Sequence, residues 1–129
     1  MALDGNRSPE PSQKGEERAI NTALAMADLQ PESIDYVNTH GTGSPLGDKT
    51  EVAALKSVGL HRCLLNSTKS LIGHCLTAAG VVEAIATILQ MKFGFCHPTK
   101  NLVTPIDASL NWVKEISVQA EIKYARGNV

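Results

Sequence analysis

The chain has 129 residues, of which 43% are hydrophobic and 19% charged, a composition typical of one globular domain and not of a disordered or coiled-coil chain. Its 12 basic and 13 acidic residues nearly cancel and 4% of residues are aromatic, so neither charge nor base stacking indicates a nucleic-acid partner. The three cysteines form no closely spaced pair, which argues against a disulfide framework or a zinc knuckle. The start of the chain has no apolar stretch, so we expect no signal peptide and a cytoplasmic protein.

Helical and strand patterns alternate along the chain. The predicted elements are helices over 15–27 and 49–58, strands over 34–39, 64–67 and 116–124, and loops over 40–48 and 68–73. Asp48 and Glu51 form a capping-box-like pair at the start of the second helix. This alternation predicts an α/β layered domain with a mostly parallel sheet flanked by helices. Functional residues are then expected in the loops that follow the strands.

A long apolar helix is predicted over residues 76–90, where Glu83 is the only charged residue. This stretch is shorter than the roughly 20 residues of a membrane span, and a helix that is apolar on every face is typical of a protein's buried centre. We therefore expect no membrane span.

Two histidines follow predicted strands in loops that contain glycine. His40 opens the sequence HGTGSPLGD, in which Thr42 and Ser44 offer hydroxyl groups to a ligand. His74 lies at the predicted start of the apolar helix, where the helix dipole favours a neutral ring. A neutral imidazole can donate a hydrogen bond to a carbonyl oxygen that develops negative charge. Taken singly, each histidine also fits a purely structural role, in a tight connection or as a helix cap.

Glu83 needs a partner if it is buried, and Lys69 is the nearest lysine on the N-terminal side of the helix. We predict that they form a pair, a contact that fits both a structural and a functional role. A metal site is not expected, because no two candidate ligands have the short spacing of a chelating motif. His61 and His97 lie in predicted connections and are expected to be solvated.

Three motifs in fixed order carry a resemblance to a known family. They are HGTGSPLGDKTE at 40–51, STKSLIGH at 67–74 and AAGVVEAI at 78–85, with similar flanks at 4–24 and 98–107. Together they resemble the C-terminal half of the β-ketoacyl-acyl-carrier-protein synthases and polyketide ketosynthases. The resemblance implies the corresponding half of a thiolase-like layered fold. It also implies a place in the decarboxylative Claisen condensation of acyl and malonyl thioesters, in fatty acid or polyketide synthesis.

The resemblance assigns roles to residues at matching positions. It implies that His40 and His74 are the catalytic histidines and that Lys69 orders the site, with Glu83 and Asp48 in support. The alternative of an unrelated α/β domain with structural histidines is hard to reconcile with three ordered motifs.

The resemblance also implies how substrate is held. Thr42 and Ser44 match positions that contact a phosphopantetheine arm, although the family commonly has threonine at the second position. No tightly bound cofactor is expected, because the arm carries the substrate. Asn38 and Glu83 match positions that hold a monovalent cation in some members.

The chain departs from the family pattern because Cys63, Cys75 and Cys96 lack the surroundings of the nucleophilic cysteine. Residues 1–129 are therefore interpreted as an incomplete domain, without the nucleophile-bearing N-terminal half and the final glycine- and phenylalanine-rich strands. The isolated chain is expected to be inactive in condensation. The alternative is a non-catalytic derivative that binds only a carrier protein or its phosphopantetheine arm.

The expected partners follow from the same interpretation. One expected partner is an acyl carrier protein. The others are the missing nucleophile-bearing half and further copies of the chain in a homo-oligomer. Either of the last two would cover the apolar faces of Leu76, Val82, Ile85 and Leu89.

Overall fold

The computed structural model describes residues 10–128. Within this range four α-helices and five short strands follow one another along the chain. The helices are α1 (Gln13–Met26), α2 (Pro45–Val58), α3 (Lys69–Ile72) and α4 (Ala79–Phe93). The strands are β1 (Tyr36–Asn38), β2 (Leu64–Asn66), β3 (Phe95–Cys96), β4 (Val118–Gln119) and β5 (Ala125–Gly127).

The main sheet is parallel and has the strand order β2-β1-β5. All three residues of β1 are buried, as is usual for the central strand of a sheet covered on both faces. The predicted α/β class with a parallel sheet is confirmed. Because parallel strands end at the same edge, the segments that carry His40 after β1 and Lys69 after β2 begin side by side.

An apolar core joins α1 and α2 to the sheet. It contains Ile20 and Leu24 from α1, Leu55 from α2, and Val37 and Leu65 from the strands. Each large apolar side chain buried in this way contributes about 1.5–3 kcal/mol to folding. This layer fixes α2 against the ends of β1 and β2, where the two loops begin.

The helix predicted over 76–90 forms three residues later, as α4, and ends at Gly94 in the left-handed conformation. Leu76 has a φ of 50°, which is incompatible with an α-helix, so residues Leu76–Ala78 form a single 3₁₀ turn instead.

The polarity of α4 is reversed relative to an ordinary surface helix. Its buried polar residues Glu83, Thr87 and Gln90 follow the spacing of one helix face. Its exposed apolar residues are Val81, Ile85, Ile88, Leu89 and Phe93. By length and composition Leu76–Phe93 could cross a membrane, although core helices of soluble proteins pass the same test. The expectation that apolar side chains of this helix are left exposed is confirmed for Leu76, Ile85 and Leu89, whereas Val82 is half-buried.

The single strand predicted over 116–124 is wrong. Val118–Gln119 pairs with β3, while pairing with β1 starts only at Ala125. Between the two strands, the Asp35 carboxylate accepts hydrogen bonds from the N–H groups of Lys123 and Tyr124 at 2.8 and 3.0 Å. A side chain thus replaces a strand partner there, and alternation of polarity alone does not show this.

Candidate active site

The loop after β1 is held by a buried carboxylate. Glu51 accepts hydrogen bonds from the backbone N–H groups of His40 and Gly41 at 2.7 and 3.0 Å, and from the Asn128 side-chain amide at 2.6 Å. At Gly41 the φ is +41°, and a Cβ there would lie 2.8 Å from the Cβ of Ser67. Only glycine fits this turn without distortion, so the loop geometry is set by packing as well as by sequence.

The capping box predicted for Asp48 and Glu51 is wrong. Helix α2 starts at Pro45, and the Ser44 hydroxyl is its N-cap, accepting a hydrogen bond from Gly47 N–H. Asp48 lies one turn further on and accepts from Gly43 N–H at 3.3 Å. Burial raises the pKa of Asp48, whereas this hydrogen bond opposes the rise. Both carboxylates therefore organise the glycine loop instead of the helix start.

His74 is oriented by the backbone that follows it. The N–H of Leu76 donates to Nδ1 of His74 at 3.0 Å. Because Nδ1 is an acceptor, the proton of the neutral ring lies on Nε2. The ring is exposed, so its Nε2–H is free to donate to a ligand.

The two histidine rings meet. Their centroids lie 5.4 Å apart and their planes cross at 82°. The pKa of His40 is lowered by burial first and then by the positive charge of Lys69. The neutral form of His40 is therefore favoured at neutral pH, and its ring lies edge-on against that of His74.

Lys69 and Glu83 form the ion pair predicted from the sequence, and their side chains are 3% and 2% exposed. Lys69 is the first residue of α3, and Glu83 lies on the inner face of α4. The pair ties the second loop to α4. It also places a positive charge near His40, where it opposes protonation of that ring.

A cleft of about 420 Å³ lies beside these groups, and its described wall includes His74 and Lys69 but not His40 or Glu83. Thr42, Lys69 and His74 contribute to its wall. Ser44 does not line it and serves as the N-cap of α2 instead. Sequence reasoning missed other wall residues, namely Glu51, Ser70, Thr99, Lys100, Asn101 and Trp112. The signal for Glu51 was its spacing from Asp48, which was interpreted as helix capping.

The structure limits what the remaining candidates can do. Asn38 accepts from Thr68 N–H at 3.1 Å. Its amide nitrogen is buried without a hydrogen-bond partner among the described residues, and so is Oε2 of Glu83, whereas Oε1 of Glu83 is paired with Lys69. One carboxylate oxygen is therefore left for a cation ligand beside the positive charge of Lys69, and the cation assignment stays a prediction. Within residues 10–128, no group of three His, Cys, Asp or Glu side chains is arranged to hold a metal ion.

The cysteines and the other histidines lie outside the cleft. None of the three cysteines contributes to the described cleft wall, and burial raises the pKa of Cys63 to about 11 and of Cys96 to about 12. His61 is exposed, as expected. The expectation that His97 is solvated is wrong, because its ring is part-buried and hydrogen-bonded to Thr68 at 3.0 Å.

Comparison with known proteins identifies relatives over nearly the whole chain. A profile of the family described as "Beta-ketoacyl synthase, C-terminal domain" matches residues 2–103. The chain is 52% identical over 125 residues to the polyketide biosynthesis malonyl-ACP decarboxylase PksF of Bacillus subtilis (strain 168), covering 97% of this chain and 30% of that protein. It is 36% identical over 125 residues to 3-oxoacyl-[acyl-carrier-protein] synthase 2 of Staphylococcus aureus, covering 94% of this chain and 31% of that one.

A solved structure agrees with these matches. The ishigamide ketosynthase/chain length factor superposes with a TM-score of 0.91 at 34% identity, over 98% of this chain and 32% of that one. The chain thus spans only about 30% of the length of these two curated relatives.

Proposed function

Because this chain belongs to the β-ketoacyl synthase family and corresponds to its C-terminal domain, we propose that it supplies the two histidines of an enzyme that decarboxylates malonyl thioesters on a carrier protein. The resemblance and the thiolase-like fold predicted from the sequence are confirmed. The observation that carries the proposal is the convergence of the His40 and His74 rings, 5.4 Å apart beside a buried lysine.

The geometry suits a reaction in which negative charge develops on a thioester oxygen. When the malonyl carboxylate leaves as carbon dioxide, the electron pair of the broken carbon–carbon bond passes to the thioester as an enolate. We propose that the Nε2–H of His74 donates to the enolate oxygen and that His40, whose ring contacts that of His74, adds a second hydrogen bond. Neutral donors fixed in advance stabilise such an oxyanion more than mobile water does.

The enolate then has two fates. Protonation of its carbon gives an acetyl thioester, which completes a simple decarboxylation. Attack of that carbon on an acyl thioester instead forms a new carbon–carbon bond, which completes a condensation. The 52% identity to a malonyl-ACP decarboxylase over 125 residues, against 45% over 93 residues and 36% over 125 residues to two synthases, supports the first outcome.

Condensation also needs a nucleophile within reach of the histidines. Cys63 and Cys96 are buried thiols with raised pKa values, and Cys75 is not in the cleft wall. We therefore propose that residues 1–129 alone do not condense acyl thioesters. A nucleophile-bearing half, of the kind that completes the longer relatives, supplies that group.

The outer face of α4 supports this partner. Its apolar side chains are exposed beside a buried polar face, and exposed apolar area of this kind is covered in a stable protein. We propose that the nucleophile-bearing half covers it, with assembly of further copies as the alternative. In the full-length protein, Ile88→Glu should therefore lower the melting temperature by several degrees. Met26→Glu, at an exposed position of α1, should leave the melting temperature within about one degree of the wild-type value. Equal melting temperatures for the two variants would contradict this packing.

The proposed substrate reaches the cleft on a phosphopantetheine arm. Thr42 lines the cleft, and the Ser44 hydroxyl, which accepts at the helix cap, keeps its own hydrogen for donation. We propose that both contact the arm, that no other cofactor is tightly bound, and that the protein acts in the cytoplasm without crossing a membrane. Both fatty acid and polyketide synthesis use substrates of this form.

The test uses the full-length protein with malonyl-loaded carrier, with and without an acyl-loaded carrier, and follows the carrier-bound products by mass spectrometry. Acetyl carrier is expected. His40→Ala and His74→Ala should each lower its rate of formation by about 10²–10³-fold, whereas His61→Ala, at an exposed position, should leave the rate unchanged.

The products separate the alternatives. A 3-oxoacyl carrier formed by the full-length protein shows that condensation follows decarboxylation. Binding of the carrier with no change to the malonyl group supports the non-catalytic derivative and overturns the proposal. Unchanged decarboxylation in His74→Ala also overturns it.

A further inference from the structure

A closed ring of buried polar groups lies beneath the second loop, and the mechanism above makes no use of it. Tyr36 Oη donates to Asn66 Oδ1 at 2.5 Å, and Gln90 Nε2 donates to Tyr36 Oη at 3.0 Å. Asn66 Nδ2 donates to Gln90 Oε1 at 3.1 Å and to the His97 carbonyl at 2.8 Å. The backbone N–H of His97 also donates to Gln90 Oε1, at 2.9 Å, which closes the ring. Such a satisfied network is rigid because every member has a partner.

The ring of His97 extends this network toward the cleft. Its Nδ1 lies 2.9 Å from the Pro98 carbonyl, which can only accept, so Nδ1 carries the proton. Burial lowers the pKa of His97, so the ring is neutral and Nε2 is an acceptor. The hydroxyl of Thr68 lies 3.0 Å from Nε2 and donates to it.

Thr68 anchors the start of the second loop through its hydrogen bonds. Its N–H donates to the buried side chain of Asn38 at 3.1 Å. Its hydroxyl makes no capping bond to α3, and its described contact is the one with the His97 ring. Helix α3 begins at the next residue, Lys69, has only four residues and ends at Gly73, directly before His74. A single helical turn is not stable by itself, so its position depends on anchors at its start.

We propose that His97 is a positioning residue, which holds the Thr68 hydroxyl so that α3 presents Lys69 and His74 to the cleft. The proposal rests on the proposed function of His74. His97 does not line the cleft, so its effect is exerted through Thr68 and not on the substrate.

The test compares variants of the full-length protein in malonyl-carrier decarboxylation. His97→Phe keeps a ring without nitrogen, and Thr68→Val keeps the shape without the hydroxyl. Each should lower kcat about tenfold or more with KM within about twofold, as expected for a misplaced catalytic group. The double variant should lose no more than the worse single variant. Thr68→Ser should regain most of the activity, and His61→Phe is the matched control at an exposed position.

A spectroscopic readout keeps this inference separate from the proposed function. With ¹⁵N-labelled histidine, the Nε2–H signal of His74 should shift in Thr68→Val and in His97→Phe but stay in place in His61→Phe. If the wild-type protein does not decarboxylate malonyl carrier, the proposed function fails while this shift still reports the positioning. If His74 signals and kcat are unchanged in Thr68→Val, or if the two losses multiply in the double variant, the inference is overturned. Should His97→Phe fail to fold, the Thr68→Val and Thr68→Ser pair decides the matter.

Discussion

Replacing Lys69 by methionine in the full-length protein probes the buried ion pair directly. The change leaves the Glu83 carboxylate, 2% exposed, without its counter-charge. Removing one partner of a buried pair costs about 3–5 kcal/mol in the free energy of unfolding, because the remaining charge stays desolvated. Two unit charges 4 Å apart attract by about 4 kcal/mol at an effective dielectric constant of about 20, which gives the same scale.

The double variant Lys69→Met/Glu83→Gln removes both charges and should recover most of this loss. Its free energy of unfolding is expected within about 1–2 kcal/mol of the wild-type value, because no isolated charge remains buried. Lys56→Met is the matched control, since Lys56 pairs with Asp107 at the surface and is 48% exposed. Its effect should be below about 1 kcal/mol. Urea unfolding followed by circular dichroism measures all four proteins.

Lys69→Met and the single variant Glu83→Gln test the electrostatic link between the ion pair and His40. The positive charge of Lys69 lowers the pKa of His40, and the negative charge of Glu83 raises it. Lys69→Met should therefore raise this pKa in an NMR titration, whereas Glu83→Gln should lower it further. Equal unfolding free energies for Lys69→Met and the double variant, together with an unmoved His40 titration, would refute the reasoning.

Two further predictions concern the glycine loop and the surface around it. Gly41→Ala should lower the free energy of unfolding by about 2–4 kcal/mol and Gly43→Ala by only about 1 kcal/mol. Both glycines have positive φ, but only at Gly41 would a Cβ clash with its neighbours. Thermal unfolding measures the difference, and equal losses for the two variants would contradict the prediction. Burial raises the pKa of Glu16 to about 7. Between pH of about 4.5 and about 7, the Glu16 carboxyl therefore keeps its proton in the folded state and loses it in the unfolded chain. The free energy of unfolding consequently falls as the pH rises through this window. Glu16→Gln should therefore raise the melting temperature at pH 8, with a gain that shrinks toward pH 4.5, whereas exposed Glu32→Gln should not; a gain independent of pH would count against this cause.

Local signals were sufficient to find the residues that meet at the candidate site. Glycines beside His40 and His74 indicated loops at the ends of strands, and parallel strands bring such loops to one edge. Glu83 was the single charge in an apolar helix, and a charge in that position requires a partner. Lys69 is that partner. These predictions worked because each depended on one residue and its immediate neighbours.

Contacts between distant parts of the chain were not visible in the sequence. Glu51 was interpreted as a helix cap, but it binds the backbone of the glycine loop and the side chain of Asn128, 77 residues away. His97 was expected to be solvated, but Thr68, 29 residues earlier, binds its ring. A hydrogen-bond partner brought by folding leaves no local pattern at either residue.

The sequence by itself determined the composition of the site: two imidazoles on glycine loops, a lysine, and a carboxylate within an apolar helix. Tertiary structure alone decided which atoms face the cleft and which side of α4 is buried. Polarity along a helix shows that two faces exist, but the inner one is the face that finds hydrogen-bond and charge partners on the sheet. Gln90 finds a partner on strand β2 and Glu83 finds Lys69 on α3 beside the sheet, so the polar stripe turns inward and the apolar stripe is left for another layer of protein.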